Sequence, residues 1–106
     1  MEHRVRLIRL RKAQGGLCAG CGTQLDVPRK RTANALDAIS FDHVVPRHRG
    51  GTRSLDNGLA KHRRCNAARG DGPPTGCDTL WHYLVMLKLG LISHSQRIWQ
   101  AVVCDA

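Results

Sequence analysis

Acidic residues and aromatic rings are scarce in this chain, and long apolar runs are missing. Eight Asp and Glu stand against seventeen Lys and Arg, which gives a formal net charge of +9. That imbalance points away from cationic partners and toward a polyanion. Two Trp, one Tyr and one Phe are all the aromatic residues, so the core has to rest on Leu, Val, Ile and Ala. The longest apolar run, Leu84 to Ile92, is interrupted by Lys88 and is too short to cross a bilayer. No leader pattern is visible, because Met1 to Gln14 is charged throughout. No internal repeat or low-complexity tract occurs. An odd count of five cysteines is not a tidy disulfide set, and their spacing favours metal in a reducing compartment. At 106 residues the length fits one domain with a thin core that a metal staple would help.

The charge is unevenly spread. Residues 1–69 hold fifteen of the seventeen basic residues and five of the eight acidic ones. The remaining segment is near neutral and apolar, suited to packing or to a partner. Residues 3–14 read as a basic helix in which Val5, Ile8 and Leu10 share a face, although the alternation over Arg4 to Leu7 also fits a short strand. Gly15-Gly16 ends it. Residues 26–37, with Pro28-Arg29-Lys30-Arg31, read as a loop near phosphate. A short strand is expected over Ala38 to Phe41, a strand or extended turn over Leu55 to Ala60, and a helix from Lys61 to Arg69. After the break at Asp71-Gly72-Pro73-Pro74, Leu80, Leu84, Leu87 and Leu91 fall at helical spacing, with Gly90 as a stop. Ser93 or Ser95 is expected to cap a last helix carrying Ile98, Trp99, Val102 and Val103.

Cys18 and Cys21 lie three apart, and so do His62 and Cys65. Two such pairs about forty residues apart have the sequence form of a closed, four-ligand structural zinc site. The alternative is that Cys18 and Cys65 are ordinary buried cysteines and His62 contacts nucleic acid. Cys77 and Cys104 are not expected as ligands, and a disulfide between them stays open. The adjacent Asp42 and His43 supply other chemistry. His43 titrates in the range of a general base. Asp42 is a hard oxygen ligand for magnesium or manganese, and Asn66 offers a neutral carbonyl oxygen as a second ligand. Two protein ligands leave a catalytic ion open to water and phosphate.

Asp42-His43-Val44-Val45-Pro46, Gly50-Gly51, Leu55-Asp56-Asn57-Gly58-Leu59 and His62-x-x-Cys65-Asn66-x-x-Arg69-Gly70 together resemble the HNH endonuclease motif. The resemblance covers residues 17–70. It implies an α+β fold: a ββα-metal (His-Me) finger core with structural zinc, flanked by an N-terminal helix and C-terminal helices. Residues 1–16, 17–70 and 71–106 would then be basic helix, zinc-stapled core and apolar tail of a single nuclease domain. By position, His43 resembles the general base. Asn57 would hold the hairpin loop and orient His43. Asn66 stands where many members have His, a variant also found among active members. Asp42 resembles the carboxylate ligand. Cys18, Cys21, His62 and Cys65 resemble the zinc ligands, with His62 where Cys is more usual.

Arg47, Arg49, Arg53, Lys61, Arg63, Arg64 and Arg69 cluster around these residues and are expected to contact DNA phosphates, which position a duplex without reading its sequence. The resemblance places Arg69 near the scissile phosphate. His48 is a weaker candidate for proton transfer or phosphate contact. The function implied is metal-dependent hydrolysis of double-stranded DNA with weak sequence preference, using Mg²⁺ or Mn²⁺, with RNA left open as a substrate. The alternative is a zinc-stabilised accessory protein that does not cut, or cuts only with a partner, such as a phage packaging factor. The apolar tail would suit a homodimer, a terminase-type partner or simple packing on the domain. A cytoplasmic setting in a bacterial or phage-infected host goes with either reading.

Overall fold

Residues 1–26 and 35–93 are described by a computed structural model. Helix α1 spans His3–Ala13. Its Arg, Leu and Lys residues are good helix formers, and Arg11 and Lys12 lie in the last turn where the helix dipole favours cations. The face it buries is the expected one only at Leu10. Leu7 and Leu10 face the core with Gln14, whereas Val5 and Ile8 are 41% and 39% exposed. Gln14 decides the rotation. Its amide donates to the carbonyls of Leu17 and Ala60, each at 2.8 Å, and accepts from the Ala60 N–H at 2.8 Å. The side chain therefore pairs with the backbone of a strand edge, and a helix turned to bury Val5 and Ile8 would lose those bonds.

Strands β1, Ile39–His43, and β2, Gly58–His62, form an antiparallel pair with Phe41 opposite Ala60 and His43 opposite Gly58. The connection carries two single 3₁₀ turns, at Arg47–Arg49 and Leu55–Asn57. The expected strand at Ala38 to Phe41 thus runs two residues further and includes Asp42 and His43, while Lys61 and His62 belong to β2 rather than to the following helix. Helix α2 spans Arg63–Arg69 and packs back on the hairpin. Gly58 permits the layers to close: a Cβ there would meet the Phe41 ring at 2.4 Å and Leu10 Cδ1 at 2.9 Å.

Helix α3 spans Gly76–Leu89 and stops at Gly90. It starts three residues before the expected Thr79, because Thr75 and Asp78 form a capping box. The Thr75 hydroxyl accepts from the Asp78 N–H at 3.1 Å, and the Asp78 carboxylate accepts from the Thr75 N–H at 2.9 Å. The helix buries Asp78, His82, Val85 and Met86. Leu80, Leu84 and Leu87, expected on one packed face, are 60%, 43% and 54% exposed. Leu91 does pack against the core. Two polar anchors outweigh the leucines: Asp78 meets Lys61 at 2.7 Å, and His82 Nε2 lies 2.8 Å from the Asp56 carbonyl oxygen. Buried polar groups must keep their partners, so they fix the rotation. The core between α1, the hairpin and α3 centres on Leu10, Leu25, Val44, Leu59, Val85 and Met86. The basic loop at Pro28-Arg29-Lys30-Arg31, the last helix with Ile98, Trp99, Val102 and Val103, and Cys104 lie outside the described residues.

Candidate active site and metal centre

The turn after α1 curls tightly, with the Cys18 N–H donating to the Thr23 carbonyl at 2.8 Å and the Gly22 N–H to the Cys18 carbonyl at 2.9 Å. It brings Cys18 and Cys21 to the end of β2 and the start of α2, where His62 and Cys65 sit. Their ligand atoms all lie within 4.8 Å of one another. Ligands of a tetrahedral zinc ion are about 3.3–3.8 Å apart, so small side-chain adjustments complete the site. The N–H groups of Gly20 and His62 point at Cys18 Sγ, at 3.2 and 3.3 Å. His62 Nδ1 lies 3.4 Å from Cys21 Sγ, and Nε2 lies 3.0 Å from the Gln24 carbonyl oxygen. A proton on Nε2 satisfies that carbonyl and leaves Nδ1 as the ligand. Gly20 makes room for the cluster, since a Cβ there would sit 2.6 Å from Cys65 Cβ.

Hydrogen bonds from Thr23 draw the Cys21 thiol down to about 6. Burial, followed by Cys18 and Cys21, pushes the Cys65 thiol up to about 11. A cation such as zinc at this cluster would favour the ionised form of Cys21 and Cys65 together. Cys77, the other free cysteine among the described residues, is exposed on α3 and lies outside the cluster.

The second site lies at the opposite end of the hairpin. A pocket of about 380 Å³ is lined by Phe41, Asp42, His43, Asn66 and, on its rim, Arg47, His48 and Asp71. His43 is half-buried, and its ring meets the Phe41 ring edge-on with centroids 5.0 Å apart. Its Nε2 is buried with no hydrogen-bond partner among the described residues. Burial, then Arg53 and Arg47, hold the imidazole below its ordinary range against a smaller upward pull from Asp42. It is therefore neutral at neutral pH and able to accept a proton.

Asn57 is fully buried and staples the connection above the pocket. Its oxygen accepts from the Val45 N–H at 2.9 Å, and its amide donates to the carbonyls of Val45 at 3.1 Å and Thr52 at 2.8 Å. The Asn57 carbonyl accepts from the Val44 N–H at 2.9 Å. These bonds tie Asn57 to the loop, and none of them reaches the His43 ring. The Asn66 amide donates to Ser40 Oγ at 3.2 Å and to the Phe41 carbonyl at 3.1 Å, which leaves its oxygen for another group.

A family model for HNH endonuclease matches residues 18–72, just over half of the 106-residue chain. The chain belongs to the HNH endonuclease family. No curated protein matches it. The antiparallel hairpin and α2 are the ββα unit of an HNH core, and the Cys18, Cys21, His62 and Cys65 cluster is its candidate zinc site.

The expected DNA contacts divide. Arg47, Arg49, Arg53 and Arg63 are exposed on this HNH domain. Arg64 is exposed too, and pairs with Asp37 at 2.9 Å, a surface contact worth little. The side chains of Lys61 and Arg69 are nearly buried. Lys61 Nζ lies 2.7 Å from both Asp42 and Asp78, with its side chain 3% exposed. Arg69 donates to Asp42 at 2.8 Å and to the carbonyls of His43, Val44 and Gly72 at 2.6, 2.8 and 3.0 Å. Their charges are committed inside the molecule, which corrects their assignment to phosphate. Sequence reading missed the Asp78 half of this network, the Phe41 ring behind His43 and the Asp71 carboxylate on the rim. The one usable signal was Thr75-x-x-Asp78, the pattern of a capping box.

Proposed function

We propose that this HNH protein is a metal-dependent endonuclease that hydrolyses phosphodiester bonds of double-stranded DNA with weak sequence preference. The observation that carries the reading is the pocket that Asp42, a neutral His43 and Asn66 line together, with no hydrogen-bond partner among the described residues on the His43 Nε2. His43 accepts a proton from water, whose oxygen attacks phosphorus in line as the bond to O3′ breaks; the departing O3′ takes a proton from solvent and His43 returns its own there, leaving a 5′-phosphate and a 3′-hydroxyl. Asp42 and Asn66 fit a hard divalent ion. Each Asp42 oxygen has one cationic partner and keeps a second lone pair, and the Asn66 oxygen is not used by its amide bonds. A bound Mg²⁺ or Mn²⁺ would supply positive charge for the pentavalent phosphorus and the leaving oxygen. Arg47, Arg49, Arg53 and Arg63 supply non-specific phosphate contacts. Zinc at Cys18, Cys21, His62 and Cys65 is structural in this reading.

A supercoiled-plasmid assay of zinc-loaded protein with Mg²⁺, Mn²⁺ or EDTA tests it. Metal-dependent nicking or linearisation is expected, reduced about 10²–10⁴-fold or more in His43→Ala. A His43→Ala protein that cuts like the parent removes the base from the mechanism. The exposed Leu80, Leu84 and Leu87 on α3 favour a second reading, in which a second copy or a terminase-type partner is needed for turnover. DNA binding without cleavage in any metal shifts the weight there.

A further inference from the structure

Asp42 does not stand alone. Its Oδ2 lies 2.7 Å from Lys61 Nζ and its Oδ1 2.8 Å from the Arg69 guanidinium. Both cations turn their other side to Asp78, Lys61 at 2.7 Å and Arg69 Nε at 3.7 Å. The four side chains are between 3% and 5% exposed. They carry two negative and two positive charges, so the quartet is neutral. Asp78 comes from α3, outside the matched residues 18–72, and its backbone and carboxylate are fixed by the Thr75 capping box. Desolvating four charges gives little net stability compared with well-packed apolar groups. Stability therefore does not explain the quartet, and placement of the one member that lines the pocket does.

We propose that Asp78 is a positioning residue for Asp42: through Lys61 and Arg69 it balances the charge behind that carboxylate and fixes its direction, so that Asp42 can take a divalent cation. The proposal rests on the nuclease reading above. Without Asp78, one carboxylate would face two buried cations. A second lone pair on each oxygen would remain, but an excess positive charge would sit beside the incoming ion. At a few ångströms, and with the screening of a partly polar interior, one such charge is worth a tenfold or larger change in affinity. Asp78→Asn keeps the size of the side chain and a carbonyl oxygen for the Thr75 N–H. The pair variant Lys61→Met/Asp78→Asn removes one charge of each sign and restores neutrality around Asp42.

The test uses the zinc-loaded full chain and Mn²⁺ as the probe. Mn²⁺ affinity is read by calorimetric titration, and the Mn²⁺ dependence of plasmid nicking is read in parallel. Asp78→Asn is expected to weaken Mn²⁺ binding about tenfold and to raise the Mn²⁺ needed for half-maximal nicking equally, while the rate at saturating Mn²⁺ changes less than about twofold. The pair variant is expected to recover the affinity. Zinc content and the thermal transition report folding, and if Asp78→Asn alone unfolds, the pair variant carries the test. Parent-like Mn²⁺ binding by Asp78→Asn, or a pair variant that binds no better than about a tenth as well as the parent, overturns the proposal and leaves Asp78 a structural residue. A parent that neither binds Mn²⁺ nor cuts DNA instead overturns the nuclease reading, and this proposal with it.

Discussion

His43 shows how one side chain takes its chemistry from its surroundings. Burial and the facing charges of Arg53 and Arg47 keep its imidazole neutral, below its ordinary range. The acidic limb of kcat/KM is therefore expected below pH 6.5, the unperturbed value, with a plateau above it. Initial rates across pH 5 to 8 check this, and a limb clearly above 6.5 contradicts it. The same burial has a stability consequence. His43 and His82 both have folded values below 6.5, so the unfolded chain binds protons more readily. Their contribution is complete above about pH 6.5 and is lost as pH falls through the folded values, which a series of thermal melts reads. Asn57 is the structural counterpart. Asn57→Ala deletes three hydrogen bonds, two of them buried, and strands their partners, an expected loss of about 3 kcal/mol in chemical denaturation. Asn57 was legible as a motif position. That it acts on Val45 and Thr52 was not, because a sequence pattern names a residue and leaves its hydrogen-bond partners open.

Among the elements, the hairpin and the cysteine turn position everything else. Gly58 lies opposite His43, and its missing side chain is where the Phe41 ring and Leu10 sit. Gly58→Ala is expected to displace Phe41, tilt the His43 ring that packs on it, and lower cleavage more than DNA binding. Equal losses of both point to general unfolding. Removing zinc by chelation, or one candidate ligand by Cys65→Ser, is expected to lower the thermal transition by about 10 °C or more, because an ion held by this cluster would join the turn after α1 to the end of β2. An unchanged transition on complete zinc loss contradicts a structural role. The helices show where periodicity misleads. Val5 and Ile8 in α1, and Leu80, Leu84 and Leu87 in α3, have the right spacing for buried faces but are exposed. The observed faces are instead selected by Gln14, Asp78 and His82. An apolar residue loses little by turning outward, whereas a buried polar group without its partner loses much more.

At the scale of the whole molecule, charge separates by depth. Arg47, Arg53 and Arg63 are exposed, while Lys61 and Arg69 neutralise Asp42 and Asp78 inside. Arg53→Ala is expected to weaken DNA binding and to flatten the plot of log affinity against log salt by about one unit. Lys61→Ala is expected to leave that slope unchanged and to destabilise the fold by about 3–5 kcal/mol, the cost of stranding buried carboxylates. Fluorescence anisotropy over a salt series, beside denaturation curves, separates the two. A slope change for Lys61→Ala equal to that for Arg53→Ala would put Lys61 back on the DNA.

The paired Cys and His ligand candidates, the order of the HNH elements and the basic excess of residues 1–69 were determined by the sequence itself. Metal ligation and phosphate attraction depend on residue type and short spacing, and both are written locally. The tertiary structure decided which faces of α1 and α3 turn inward, that Lys61 and Arg69 are internal, and that Asp78 on α3 reaches Asp42 through them. These outcomes depend on contacts between distant segments, where a buried charge is stable only beside the partner that the fold brings to it.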